Sequence, residues 1–297
     1  MGEGTPLERR LPVARLVHKE TIAPKFTRYI VSAPEVARKH RAGQFVMVLL
    51  GEMGERIPLT IADSDANAGT ITLIVQEVGK TTMEMAQLEV GAELGVAGPL
   101  GTPTHIQKWG TCVCIGGGAG IAPMLPIARA LKRAGNHVIS ILGGRSQDLV
   151  ILREEMKAAS HEMIFTTDDG SLGRKGLVTH ALADLVEERG KPDLVVAIGP
   201  AIMMKVVSEQ TRPLGIPTVV SLNSIMVDGT GMCGGCRVAV GGESRFVCVD
   251  GPEFDGHEVD FDLLMKRQRT YLKEEEMARK RFLEEHSCHG LQGAEVK

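Results

Sequence analysis

A chain of 297 residues, 43% apolar and 24% charged, has room for two or three soluble globular domains. Its net charge of −3 without basic clustering argues against a nucleic-acid partner, and no apolar run approaches the ~18 residues that cross a bilayer. The amino-terminal MGEGTPLERRLPVARLV has no signal-peptide pattern, so a cytoplasmic, reducing setting is expected, where clustered cysteines suggest metal or catalysis rather than disulfides.

Residues 10–100 read as short strands divided by turn residues. Thr27–Ser32, Gln44–Leu50 and Thr70–Val75 are strand-like, and Gly43, Gly51, Gly69, Gly79, Gly91 and Gly98 fall between or beside such runs. Evenly punctuated short strands predict a small barrel or sandwich. Within it, RIPLTIAD (56–63) and EVGKTT (77–82) offer an arginine, threonines and a glycine turn suited to the diphosphate of a flavin. A barrel loop with a solvated arginine is the alternative.

The pattern changes near Gly101. Cys112–Ile115 is an apolar run ending in three glycines, followed by a helical segment, Ala122–Ala134, and a second apolar strand, His137–Leu142. Strand, glycine turn, helix and strand form a βαβ unit, which opens a doubly wound parallel sheet. Leu194–Ile198 and Thr218–Ser221 are expected as its later strands. The turn GGGAGIAPM (116–124) lets backbone approach a pyrophosphate resting on amides at a helix N-terminus. Ile121 stands where the full G-x-G-x-x-G would place its last glycine, so a plain tight turn remains the alternative. Asp168 and Asp169 either flank that nucleotide or form a turn with Gly170.

A glycine-rich segment follows, spaced Asp228-x4-Cys233-x2-Cys236-x11-Cys248. The plant-type [2Fe–2S] loop is C-x4-C-x2-C with a distant fourth cysteine. Here aspartate takes the first position, and Asp228 is expected to supply the fourth ligand through a carboxylate oxygen. The alternative is a zinc knuckle, since carboxylates also bind zinc. Cys112, Cys114 and Cys288 are expected to be inert. From Phe261 onward the chain reads as one charged helix running into a tail.

Taken in order, AGQFVMV (42–48), RIPLTIAD, EVGKTT, GGGAGIAP, TTDDGSLGRKGLVT (166–179), IGPAIMM (198–204), the cysteine loop and VDGPEFDGHEVDF (249–261) resemble the ferredoxin–NADP reductase superfamily. The match is to the branch of dihydroorotate dehydrogenase electron-transfer subunits and the small subunits of NADH-dependent ferredoxin:NADP oxidoreductase. Aspartate at position 228 and the form of RIPLTIAD favour the second group. The resemblance implies an FAD-binding antiparallel β-barrel (1–102), a Rossmann-like α/β nicotinamide domain (103–222), a [2Fe–2S] domain (223–265) and a terminal helix and tail (266–297). It assigns Arg56, Pro58, Leu59, Thr60, Gly79, Thr81 and Thr82 to FAD, with Pro58 and Leu59 standing where many members carry an aromatic residue. Gly118, Gly120, Ala122, Pro123, Asp168, Asp169, Gly199 and Pro200 fall to the nicotinamide nucleotide, and Asp228, Cys233, Cys236 and Cys248 to the cluster.

The implied activity is hydride exchange between NAD(H), with NADP(H) also allowed, and FAD. Single electrons then pass through the cluster to a larger subunit with FAD and [4Fe–4S] clusters, similar to the small subunit of glutamate synthase. Ferredoxin would be reached indirectly, in a flavin-based electron bifurcation. The alternatives are an electron-transfer subunit for dihydroorotate dehydrogenase or for another complex such as a hydrogenase, and a zinc-stabilised nucleotide-binding regulator without redox turnover.

Overall fold

The computed structural model describes residues 11–51 and 54–289. The reading of the first ten residues, that of the tail beyond 289, and the side chain of Cys288 fall outside what is described.

The first eight elements are β1 (Val13–Ala23), β2 (Phe26–Ser32), α1 (Pro34–Lys39), β3 (Phe45–Leu49), β4 (Arg56–Asp65), β5 (Thr70–Gln76), α2 (Lys80–Ala86) and β6 (Glu93–Leu100). The six strands close into a barrel in the order β1-β2-β5-β4-β3-β6. Every pairing within it is antiparallel, including β6 back onto β1. Alternate residues of β2 and β5 point inward, so Tyr29 and Val31 meet Ile71, Leu73 and Val75 in the barrel core. Pro58 lies in β4 opposite Met47, ahead of Ile61, where β5 first joins. At Pro58 the strand therefore has one neighbour only, a position that tolerates a residue without an N–H.

Next come β7 (Thr111–Gly117), α3 (Ile121–Arg133), β8 (His137–Gly144), α4 (Arg153–Ala159), β9 (Glu162–Thr167), β10 (Arg174–Lys175), α5 (Val178–Arg189), β11 (Leu194–Ile198), α6 (Ala201–Thr211) and β12 (Thr218–Ser221). The strands pair in parallel in the order β10-β9-β8-β7-β11-β12. Helices on both faces bury this sheet, and β11, LVVAI, is buried at every residue, as a central parallel strand should be. The strand order reverses between β7 and β11, which makes a crevice beyond their carboxyl ends. Cys112 and Cys114 are fully buried in β7. Burial pushes the Cys112 thiol up to about 12 and raises that of Cys114 as well, so both are chemically quiet.

The cysteine segment forms the hairpin β13 (Arg237–Val240) and β14 (Glu243–Phe246). The chain then returns as β15 (Glu253–Asp255) along β12 in antiparallel register, completing a seven-stranded sheet. The single terminal helix expected from Phe261 is instead two, α7 (Phe261–Gln268) and α8 (Leu272–His289). The break has local causes. The Thr270 hydroxyl donates to the Arg267 carbonyl at 2.7 Å, and the Gln268 side-chain amide donates to the Asn223 carbonyl at 2.7 Å. From there α8 runs to α2 on the barrel. Among the described residues no helix is long and apolar enough to cross a membrane.

Candidate functional site

The turn after β7 opens into the crevice at the strand-order reversal. Gly118 has φ +56°, a left-handed conformation suited to glycine, and a Cβ built there meets nothing within 4 Å. Its neighbours are the opposite. A Cβ on Gly117 would lie 2.5 Å from the Met203 sulfur, and one on Gly199 would lie 2.7 Å from the Met203 methyl. A Cβ on Gly120 would meet the Ile198 carbonyl carbon at 2.6 Å and the Gly199 nitrogen at 2.8 Å. The turn and the loop carrying Gly199 and Pro200 are thus pressed together, with the space above Gly118 left open. Ala122 and Pro123 follow in the first turn of α3, whose N-cap is Gly120. Proline there costs no helical bond, because the first amides of a helix have no partner within it. Those amides face the crevice, which suits the diphosphate of a nucleotide.

Asp168 and Asp169 follow β9, two strands from β7. Their amides bond the carbonyls of Gly144 and Arg145, and the Asp169 carboxylate accepts from the Ser171 amide at 2.9 Å and its hydroxyl at 2.6 Å. These hydrogen bonds hold the exposed Asp169 carboxyl below its ordinary range. The Ser171 hydroxyl in turn accepts from the Gln147 amide at 2.8 Å. The turn role that the sequence allowed is therefore present, and Asp169 fastens two loops at the sheet's carboxyl edge.

On the barrel, Arg56, Pro58, Leu59 and Thr60 lie half-buried along β4, opposite Leu49, Met47, Val46 and Phe45 of β3. Gly79 is the N-cap of α2, with open space at its Cα. The Thr82 hydroxyl accepts from the amides of Val78 and Gly79 at 3.0 Å each and so caps this helix. Thr81 is buried and donates to the Glu55 carboxylate at 3.1 Å, which ties α2 to the start of β4. The two flavin motifs are therefore joined, through a residue, Glu55, that motif reading did not single out. Asp63, at the end of RIPLTIAD, pairs with Arg129 of α3 at 2.7 Å and locks the barrel to the nucleotide domain. Neither link has a local signature, since both join residues far apart in sequence.

In the cysteine loop, the Asp228 carboxylate accepts from the amides of Thr230, Met232 and Cys233 at 3.1, 3.0 and 3.1 Å, and from the Cys233 thiol at 3.4 Å. Burial pushes its carboxyl up, but these hydrogen bonds outweigh burial and hold it below the usual carboxylate range. The Cys236 and Cys248 sulfurs are buried 3.3 Å apart. Burial and Cys236 push the Cys248 thiol up to about 12, against a pull from the Gly231 amide. Among the described residues no three His, Cys, Asp or Glu side chains converge on one point as metal ligands. The four stand as two pairs, Asp228 with Cys233 and Cys236 with Cys248. A single zinc ion wants four donors about one centre, whereas each iron of a two-iron cluster takes two protein ligands. The backbone also suits sulfur ligation. Amides of Gly235 and Cys248 point at the Cys233 and Cys236 sulfurs at 3.4 and 3.5 Å, and Gly229, Gly231 and Gly234 all have positive φ. The residues present therefore fit a [2Fe–2S] cluster better than zinc.

The loop is seated on the barrel. A Cβ on Gly229 would fall 2.6 Å from Met47 and 3.0 Å from Leu100. Met47 is fully buried and is the strand partner of Pro58 in the first flavin motif.

Comparison with known proteins agrees with this layout. Residues 13–105 match the oxidoreductase FAD-binding domain, 114–209 the oxidoreductase NAD-binding domain, and 223–260 the iron–sulfur cluster binding domain of dihydroorotate dehydrogenase B. The chain is 48% identical to a Thermotoga maritima homolog of the dihydroorotate dehydrogenase B (NAD(+)) electron transfer subunit, over 90% of this chain and 95% of the relative. An uncharacterized Clostridium beijerinckii protein from the adh 3′ region is 45% identical over 88% of this chain and 91% of its own length. A solved structure of the NADH-dependent reduced ferredoxin-NADP oxidoreductase, described for its insights into flavin-based electron bifurcation, superposes with a TM-score of 0.86. It is 45% identical and covers 95% of this chain and 100% of the solved one. With a barrel, a nucleotide sheet and a cluster loop in this order, the chain belongs to the family of dihydroorotate dehydrogenase B electron-transfer subunits and their homologues, oxidoreductases with FAD-, NAD- and iron–sulfur-binding domains.

Proposed function

We propose that this chain is the subunit of an electron-bifurcating NADH-dependent ferredoxin:NADP transhydrogenase that exchanges hydride between NAD(H) and FAD and passes single electrons through a [2Fe–2S] cluster to a larger flavoprotein. The observation that carries this reading is the seat of the cluster loop. Gly229 rests on Met47, the strand partner of Pro58, so the flavin motif and the cluster loop share one strand pair. When bound, the nicotinamide supplies or accepts a hydride, the cluster handles one electron at a time, and the flavin does both.

The chain's own residues orient and tune these groups. Arg56 and Thr60 on β4, with Gly79, Thr81 and Thr82 at the start of α2, are assigned to the flavin diphosphate. Thr81 and Thr82 act by fixing the helix start, because their hydroxyls are committed to Glu55 and to the cap. Pro58 and Leu59 form the apolar wall of that site. Gly118, Gly120, Ala122 and Pro123 present backbone to the nicotinamide nucleotide, with Gly199 and Pro200 closing the far side. Asp168 and Asp169 shape the outer loops. Asp228, Cys233, Cys236 and Cys248 are the cluster ligands. The partner is a larger subunit with its own flavin and [4Fe–4S] clusters, similar to the small subunit of glutamate synthase.

Anaerobic titration of the purified chain with NADH tests the reading. Flavin absorbance should bleach and a reduced [2Fe–2S] paramagnetic signal should appear. A chain without flavin or iron sinks it. Asp228→Cys should keep the iron content and move the cluster's midpoint potential, because a thiolate replaces a carboxylate oxygen. An unchanged potential and spectrum would remove Asp228 from the ligand set. The relatives' names favour one other reading, an electron-transfer subunit for dihydroorotate dehydrogenase. A partner subunit that oxidises dihydroorotate would establish it.

A further inference from the structure

A cavity of about 320 Å³ opens beside the cluster loop, walled by that loop on one side and by the α7–α8 break on the other. Its charged lining residues are Arg237 and Arg267, and no aspartate or glutamate lines it. In a chain of net charge −3 this is a local reversal of sign. Arg237 is exposed, and among the described residues its guanidinium has neither an ion pair nor a hydrogen bond. Arg267 spends one nitrogen on the Gly235 carbonyl at 3.1 Å, which aims its fork along the loop. The Asp228 carboxylate nearby is consumed by the loop's own amides and offers these arginines nothing.

The rim is apolar and wet. Val227 and Tyr271, which line the cavity, are 56% and 52% exposed, while Met232 and Val249 on the outer side of the loop are 79% and 41% exposed. Val249 lies against Gly231, so these side chains surround the loop rather than scatter over the surface. Exposed apolar side chains gathered around a charged centre mark a docking surface. Cys233, an assigned ligand, is exposed in the same cavity wall. Electron transfer weakens steeply with distance, so an acceptor has reason to dock where a ligand reaches the surface.

Resting on the function proposed above, we propose that this cavity is the socket for an acidic segment of the larger redox subunit. Carboxylates of that segment pair with Arg237 and Arg267, and Val227, Met232, Val249 and Tyr271 form the apolar contact ring. Two arginines that have no carboxylate partner among the described residues, beside an uncharged rim, favour a carboxylate-bearing protein segment, since a guanidinium fork matches a carboxylate in two-point contact.

The test uses the chain co-produced with its larger subunit, and reads the dissociation constant at low and raised ionic strength. Arg237→Glu should weaken the complex by about tenfold or more, while Arg237→Lys should weaken it less. The salt dependence of the wild-type complex should shrink in Arg237→Glu. NADH–ferricyanide turnover by the isolated chain and the cluster spectrum should stay unchanged, because Arg237 holds neither cofactor. Tyr271→Glu, on the opposite wall and away from the loop, should weaken the complex in the same way and guards against a loop defect. An Arg237→Glu chain with intact cluster and turnover but unchanged affinity overturns the socket. A chain that lacks flavin or iron in the wild type instead sinks the redox function, so the two failures are distinct.

Discussion

Glu253→Gln is expected to stabilise the protein above pH 7 and to leave its stability unchanged below pH 4.5. Glu253 begins β15, at the junction of the nucleotide sheet, the linker through Thr104 and the barrel turn at Gly43. Glu253 is half-buried, and its carboxylate accepts one hydrogen bond, from the Thr104 hydroxyl at 2.5 Å. Gly43 packs so closely that a Cβ there would fall 2.7 Å from the carboxylate oxygen. Burial raises the carboxyl from 4.5 to about 7, and the Thr104 bond offsets only part of that. A carboxyl whose folded value is raised contributes fully below its unfolded value, and that contribution is lost as pH climbs through the folded value. At about 1.4 kcal/mol per pH unit, the interval from 4.5 to about 7 sets a ceiling near 3 kcal/mol. Glutamine keeps an acceptor for Thr104 and has no charge to bury, so it should recover roughly 1–3 kcal/mol above pH 7. Thermal melts of both chains across this range decide the matter. Parallel curves for wild type and variant would show that Glu253 ionises freely in the folded protein.

Glu253 meets Thr104 and Gly43 across long stretches of chain, and no local pattern in the sequence announces such contacts. The glycine turn after β7 and the strands LVVAI and TVVS are local signals, and each appears where expected. The spacing of Asp228, Cys233, Cys236 and Cys248 is a local signal too, and it is what proposes them as ligands. β1 carries no clean strand signal because bulges interrupt its alternation between Leu16 and His18 and between Thr21 and Ala23. β4 reads as a motif rather than a strand because Pro58 lies inside it, tolerated only because β5 joins later. The terminal helix reads as continuous because its charge pattern is uniform, while the break is set by Arg267, Gln268 and Thr270 contacts. Two of these reach back to Gly235 and Asn223. The links that assemble the site are all of this long-range kind: Glu55 with Thr81, Asp63 with Arg129, Gly229 on Met47. A spacing rule names ligands, but which barrel strand the loop rests on is decided by tertiary packing.

Gly120→Ala should cost both stability and nucleotide affinity, and comparison with Gly118→Ala separates the two reasons a glycine is needed here. Gly120 has φ −65°, which alanine adopts freely, so its backbone conformation is no obstacle. The obstacle is space. The new methyl would meet the Ile198 carbonyl group and lie 2.8 Å from the Gly199 nitrogen, all of it backbone with no side chain to swing aside. Either α3 moves away from β11 or the loop at Gly199 moves, and overpacking of this kind costs about 1–3 kcal/mol. Both movements disturb the crevice, so NADH affinity should fall by about tenfold, equivalent to roughly 1.4 kcal/mol. At Gly118 the situation is inverted. A methyl there meets nothing within 4 Å, but φ is +56°, which costs an L-residue about 1–2 kcal/mol, and the methyl projects into the space assigned to the nucleotide. Gly118→Ala should therefore lose more in NADH affinity than in melting temperature, whereas Gly120→Ala should lose in both. Flavin-bleaching titrations with NADH and thermal melts on the two variants give the comparison. If Gly120→Ala melts and binds like the wild type, the close packing of the turn against Ile198 and Gly199 is not what positions α3. If Gly118→Ala binds NADH normally, the open space above that glycine is not where the nucleotide rests.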